Sequence, residues 1–249
     1  MTQVGLMMYT LRNESARDFE GVLRAVAEVG YDGVELHDLH GSEATEVRSW
    51  LDALGLEFAG RHAGLEEIRA GLPELAAELA VLGSDRLVLS WIEPPASDAE
   101  ARAAVATIAE TAQRVNAAGL RFGFHNHWAE LERFEGDSVL DSLLALPADD
   151  VWLELDLGWV WEAGVDPVEL LERARGRSPL VHVKDFRARG TRQFCPVGDG
   201  AVGYERILPA ALVAGVEWLL VEQDETEGSG LDAVSRSFDA VQRFLKVAA

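Results

Sequence analysis

Cysteine is nearly absent. Cys195 is the one thiol in 249 residues, so no internal disulfide can form, which fits a reducing compartment. No motif places a base beside Cys195, and it reads as a loop or packing residue rather than a nucleophile. Long apolar runs are missing too. No stretch approaches the ~20 residues of a membrane span, and no basic region followed by an apolar run opens the chain. A cytoplasmic protein without a membrane partner is expected. Positive charge is scarce: 22 Lys and Arg face 43 Asp and Glu, a formal net charge of -21. Such a field repels phosphodiester backbones and anionic lipid surfaces, so nucleic acid is not an expected partner. No glycine-rich phosphate loop is evident, which leaves Arg12, Arg61, Lys184 and Arg187 as the candidates to meet a phosphate. No low-complexity linker divides the chain, and residues 1–249 read as one domain.

What the chain does have is a 48% apolar content arranged as short apolar runs alternating with longer amphipathic ones, the pattern of repeated βα units. Eight strands are expected, at Val4–Met8, Gly33–His37, Glu57–His62, Arg86–Trp91, Arg121–His127, Val151–Leu157, Leu180–Lys184 and Trp218–Glu222. Helices are expected between them, at Asp18–Val29, Glu43–Leu54, Leu72–Leu82, Asp98–Ala118, Asp137–Leu146, Pro167–Arg175, Tyr204–Ala214 and Leu231–Leu245. Gly30, Gly55, Gly119 and Gly215 each stand where a helix gives way to a strand, as left-handed helix ends require. The fold class is therefore α/β, a single (β/α)8 TIM barrel with its active site at the C-terminal ends of the strands. The long loops Ile92–Ser97, Arg187–Gly203 and Asp224–Gly230 all follow strand ends on that side.

Four of the expected strands end in residues able to bind a metal: His125-Asn126-His127, Asp156, His182 and Glu222. A barrel gathers such residues at one mouth, where unpaired charge would be costly without a function. Carboxylate and imidazole donors together suit one divalent ion, with Mn expected first and Co, Mg or Zn as alternatives. The expected ligands are His125, Asp156, His182 and Glu222. His127 lies on the same side of its strand as His125 and is the expected acid/base, while Glu130 competes with His125 for the fifth-strand ligand position. Glu222 and Lys184 complete the expected catalytic set. Tyr9, Glu35, His62, Trp91, Trp159 and Asp185 are the expected substrate-binding residues. Glu35 serves equally as part of an internal polar network, and Lys184-Asp185 as a local ion pair. Trp91, Trp128, Trp159 and Trp161 cluster at strand ends, where flat faces can stack on a sugar ring.

Gly5-Leu6-Met7-Met8-Tyr9-Thr10-Leu11-Arg12, Gly30-Tyr31-Asp32-Gly33-Val34-Glu35, Phe124-His125-Asn126-His127, Leu155-Asp156-Leu157-Gly158-Trp159, His182-Val183-Lys184-Asp185, Pro196-Val197-Gly198-Asp199-Gly200 and Val221-Glu222-Gln223-Asp224 follow one another along nearly the whole chain. In this order they resemble the sugar phosphate isomerase/epimerase family of xylose-isomerase-like TIM barrels. The resemblance implies one divalent metal held by Glu, Asp, His and Glu, of which the last three fall on Asp156, His182 and Glu222. It also implies a sugar or sugar-like substrate bound through adjacent oxygens, and makes a homo-oligomer reasonable. His125 stands where the family's strand-five glutamate would be, and Trp159 where some relatives have a histidine. The first difference weighs against a simple two-glutamate epimerisation.

The resulting expectation is a divalent-metal-dependent sugar isomerase or epimerase that removes a proton next to a carbonyl, His127 or Glu222 being the base and the enediolate being stabilised by the ion. The competing expectation is a lyase or dehydratase that starts with the same step on a keto-inositol, a 3-keto-glycoside, a C-glycoside or dehydroshikimate. A metal-dependent DNA-repair endonuclease shares the barrel but conflicts with the charge, and a non-catalytic sugar-binding subunit would hold no ion.

Overall fold

Short strands buried on both faces need helices outside and side chains of matched size inside, and a closed ring of parallel strands meets both needs. The computed structural model, which describes residues 2–248, has this form. Its strands are β1 (Gln3–Met7), β2 (Gly33–Leu36), β3 (Glu57–Ala63), β4 (Arg86–Leu89), β5 (Arg121–His125), β6 (Trp152–Asp156), β7 (Leu180–Val183), β8 (Asp185–Phe186), β9 (Phe194–Cys195) and β10 (Trp218–Val221). The barrel closes in the order β1-β10-β7-β6-β5-β4-β3-β2, every neighbouring pair being parallel. β8 and β9 form a separate antiparallel hairpin beyond the end of β7. No helix among the described residues is long and apolar enough to cross a membrane.

The helices start and stop where local chemistry directs. Asp18 caps Phe19–Val29 by accepting the Gly21 N–H, and Gly30 ends that helix at φ 110°, the left-handed conformation that costs glycine little. Asp166 with Pro167 starts the helix Pro167–Arg173. The helix expected from Leu72 starts earlier, at Leu65, and bends at Gly71 just before Pro73. A further short helix, Leu157–Glu162, follows β6 directly because Asp156 accepts the Trp159 N–H at 2.8 Å. The fifth strand stops at His125 rather than His127, and the long loop after β7 contains the β8–β9 hairpin. Cys195 is buried in that hairpin, where burial pushes its thiol up to about 11, away from nucleophilic use.

Inside the barrel the side chains are layered. Trp152 and Trp218 plug the lower end with Ala59, Val88, Leu180 and Leu220. They fit because their neighbours lack side chains: a Cβ on Gly123 would lie 2.5 Å from the Trp152 ring, and one on Gly33 2.7 Å from that of Trp218. Alternation along each strand then carries the same interior face upward through Glu154 and Asp156 on β6, His182 and Lys184 on and after β7, and Leu220 and Glu222 on and after β10. The tryptophan plug thus supports a stack of titratable groups.

Candidate active site

A cavity of about 490 Å³ opens at the C-terminal ends of the strands. Trp91, Trp128 and Trp159 form an aromatic wall, and Tyr9, His37, His62, His125, His127, Glu67, Glu222 and Asp224 supply polar lining. Trp91 is 41% exposed, an open apolar face at the rim. Its ring meets His127 edge-on with centroids 4.7 Å apart, and Trp128 lies 5.0 Å from Trp159. Burial, aided by the Lys184 charge, pushes the His127 imidazole down to about 3, so the ring is neutral at pH 7 and a weak proton acceptor.

Beneath the cavity lies a carboxylate cluster around an ammonium. Lys184 Nζ is 3.0 Å from Asp156 Oδ2, 2.8 Å from Glu222 Oε2 and 2.8 Å from Asp224 Oδ1. Burial alone would lower the lysine, but the charges of Asp156, Asp224 and Glu222 hold it well above its ordinary value. Glu222 Oε2 also lies 2.8 Å from His182 Nδ1. Burial would raise this carboxyl, and the Lys184 and His182 charges instead hold it well below the usual carboxylate range. Asp224 differs: burial, together with the Glu222 charge, lifts it to about 6 despite Lys184.

A second polar layer lies deeper. His182 Nε2 is 2.8 Å from Glu35 Oε2 and 3.3 Å from Glu154 Oε2, and His125 Nδ1 is 3.2 Å from the same Glu154 oxygen. His62 hydrogen-bonds Glu154 and lies 3.3 Å from Glu35. Burial and the neighbouring Glu154 charge raise Glu35 to about 7, and burial lowers His62 to about 4. Burial would also lower His182, but the Glu154 and Glu222 charges raise it well above the ordinary imidazole value. Two overlapping sets of donors therefore have atoms within 4.8 Å of one another: His125, Asp156, His182 and Glu222 above, and His62, His125, Glu154 and His182 below.

The barrel thus brings together the four residues expected to hold a metal. Tyr9, His62, Trp91, His127 and Trp159 line the cavity. Glu35, Lys184 and Asp185 do not. Glu35 is buried under the cavity against His182 and His62, so its place is in the internal network rather than at a substrate. Lys184 is enclosed by carboxylates. Asp185 points away from the cavity: one carboxylate oxygen accepts the N–H groups of Phe186 and Val202, and the other those of Gly198 and Gly200. It fastens the segment after β9 to the end of β7, a structural task rather than the expected substrate contact. Glu130 accepts the His127 N–H at 2.8 Å and joins neither donor set. Trp161 stacks on Phe186 and is not among the cavity-lining tryptophans.

Glu154 and Asp224 were not singled out from the sequence as site residues. For both a signal existed: Glu154 shares a strand face with Asp156, and Asp224 follows Glu222 by two residues.

The chain is similar to known proteins. The chain is 28% identical over 245 residues to the rhizopine catabolism protein MocC of Rhizobium meliloti, covering 83% of this chain and 74% of that protein. It is 24% identical over 246 residues to inosose dehydratase of Geobacillus kaustophilus, covering 82% and 79%. A sugar phosphate isomerase/epimerase from Parabacteroides distasonis superposes with a TM-score of 0.82 at 21% identity, over 98% of each chain, a likeness of fold. The family model for the xylose isomerase-like TIM barrel matches residues 23–244. With the closed parallel barrel and its polar mouth in place, this chain belongs to the xylose isomerase-like TIM barrel family.

Proposed function

We propose that the chain is a metal-dependent lyase that dehydrates an uncharged, ring-shaped polyhydroxy ketone. The observation that carries this reading is the placement of Asp224, a cavity-lining carboxyl with raised proton affinity, on one side of the barrel mouth. Glu222 and Asp224 flank Lys184 just beyond β10, while β5, three strands round the barrel, offers His125 and the weakly basic His127. Asp224, held at about 6, can take a carbon-bound proton beside the carbonyl near neutral pH. The same carboxyl group can return that proton to the hydroxyl leaving from the next carbon on the same face. Water departs, and a double bond conjugated with the carbonyl remains. Epimerisation instead needs a second proton-transfer group on the opposite face, and the β5-side imidazole that lines the cavity, His127, is neutral and weakly basic. The 24% identity to inosose dehydratase agrees with the proposed reaction class.

The donor set fits a divalent ion: two carboxylates and two imidazoles converge, and the His125 Nδ1 atom is buried without a hydrogen-bond partner. His125, Asp156, His182 and Glu222 would hold the ion, which when bound polarises the carbonyl and steadies the charge that develops beside it. His127 would position a substrate oxygen by hydrogen bonding, and Trp91, Trp128 and Trp159 would meet the ring's apolar face.

An uncharged substrate follows from the fate of the cations. Arg61 is spent on Glu78 and Glu67 at 2.8 and 2.9 Å and on backbone oxygens of His37 and His62. Arg12 caps Tyr9 O and lies over the Tyr9 ring, Arg187 pairs with Glu227, and Lys184 is saturated. None of these four lines the cavity, and Arg192 is already placed over the Trp128 ring, so a phosphate would meet no lysine or arginine among the lining residues.

Incubation with a panel of keto-cyclitols and ketoses in deuterated water tests the reading. An unsaturated or dehydrated product is expected, and deuterium in an intact isomer would replace the lyase by an isomerase. Two variants test the roles. Asp224→Asn should lower kcat by about 100-fold. His127→Gln should mainly raise KM, and a kcat loss of about 100-fold or more would restore His127 as the base.

A further inference from the structure

Beneath the donors proposed for catalysis lies a second, overlapping set, His62, His125, Glu154 and His182. We propose that His62, His125, Glu154 and His182 form a cation site of their own, and that a zinc-type ion rests there in the substrate-free protein. The inference builds on the reading of the chain as metal-dependent.

Three observations carry it. First, one oxygen, Glu154 Oε2, faces three imidazoles: it hydrogen-bonds His62 and lies 3.2 Å from His125 Nδ1 and 3.3 Å from His182 Nε2. Donors around a tetrahedral ion with bonds of about 2.0–2.1 Å stand ~3.3–3.4 Å from one another. Two of the measured separations are already close to that. Second, this buried layer is short of partners. Glu35 Oε1, Glu154 Oε1 and His125 Nδ1 are buried with no hydrogen-bond partner, although buried polar atoms are normally satisfied. Third, the upper carboxylates already have a resident cation. Lys184 lies within 3.0 Å of Asp156, Glu222 and Asp224, whereas no lysine or arginine pairs with Glu35 or Glu154 among the described residues, and imidazoles are their partners.

Three nitrogens and one oxygen suit Zn²⁺ or Co²⁺ over Mg²⁺ or Ca²⁺, which favour all-oxygen shells. The two positions also compete. A neutral imidazole has one lone pair, and His182 directs Nδ1 to Glu222 above and Nε2 to Glu35 and Glu154 below. His125 and His182 therefore serve one position at a time, and one ion per chain is expected.

The test is zinc titration of metal-stripped, substrate-free protein, followed by metal counting and anomalous diffraction at the zinc edge. One zinc per chain is expected, bonded to Glu154 and His62. Glu154→Gln and His62→Gln should each weaken zinc binding by more than the roughly 10–100-fold that loss of an outer partner costs, while Glu222→Gln keeps the ion in place. Using both deep variants guards against one failing to fold. A zinc peak confined to Asp156 and Glu222, with Glu154→Gln binding as wild type, would overturn the deep site and leave the proposed lyase standing. Absence of zinc from both positions would overturn both the deep site and the metal-dependent reading.

Discussion

Glu222→Gln is expected to lower turnover by about 1000-fold or more and to reduce divalent-ion occupancy during turnover. One oxygen of this residue lies 2.8 Å from both Lys184 Nζ and His182 Nδ1. An amide keeps the shape but loses the charge, and it can turn an N–H toward a group that also donates. The upper donor set then falls from two carboxylates to one, and the ammonium loses a partner at the cavity floor. Solvent-deuterium exchange into the substrate, measured beside metal content and far-UV circular dichroism, checks this. Unchanged exchange would remove Glu222 from the chemistry, and unchanged occupancy under turnover would remove it from the ion's donors.

Lys184→Met is expected to cost about 3–5 kcal/mol of stability, the usual penalty for leaving buried charge without its partner. For a chain of this length that is a fall in Tm on the order of 10 °C. The side chain of Lys184 is 1% exposed, and those of Asp156 and Glu222 are 0% and 6% exposed. Methionine fills the space of the stem but leaves three carboxylates facing one another. A divalent ion binds folded protein in preference to unfolded chain, so its addition should recover more stability in the variant than in the wild type. Thermal unfolding with and without Zn²⁺ or Mn²⁺ measures both effects. A variant as stable as wild type without metal would show that the cluster is neutralised by other means.

The barrel and the upper donor set were legible because both follow from periodicity. Each βα unit repeats the same apolar alternation, and Asp156, His182 and Glu222 occupy equivalent places at the ends of their strands. Glu154 was less visible because it lies between two leucines in Leu153-Glu154-Leu155; it shares the Asp156 face of its strand, but nothing local shows that imidazoles from other strands meet it there. Lys184 and Asp185 are adjacent in sequence and buried in opposite roles, one under the cavity and one holding Gly198, Gly200 and Val202. Which way each turns depends on where the chain bends after β7. His127 looked like a base of ordinary strength, whereas its burial and the Lys184 charge that depresses it come from elements far apart in the chain.

By itself the sequence determined the repeat of strands and helices, the excess of negative charge, and the residue types available at the barrel mouth. These are properties of spacing and composition, carried by the chain before it folds. The tertiary structure decided which nitrogen and oxygen atoms share a site, that Lys184 serves the carboxylates rather than the cavity, and that a second donor set lies beneath the first. Those outcomes depend on distances of a few ångströms between strands remote in sequence, and on desolvation that arises when the ring of strands closes around them.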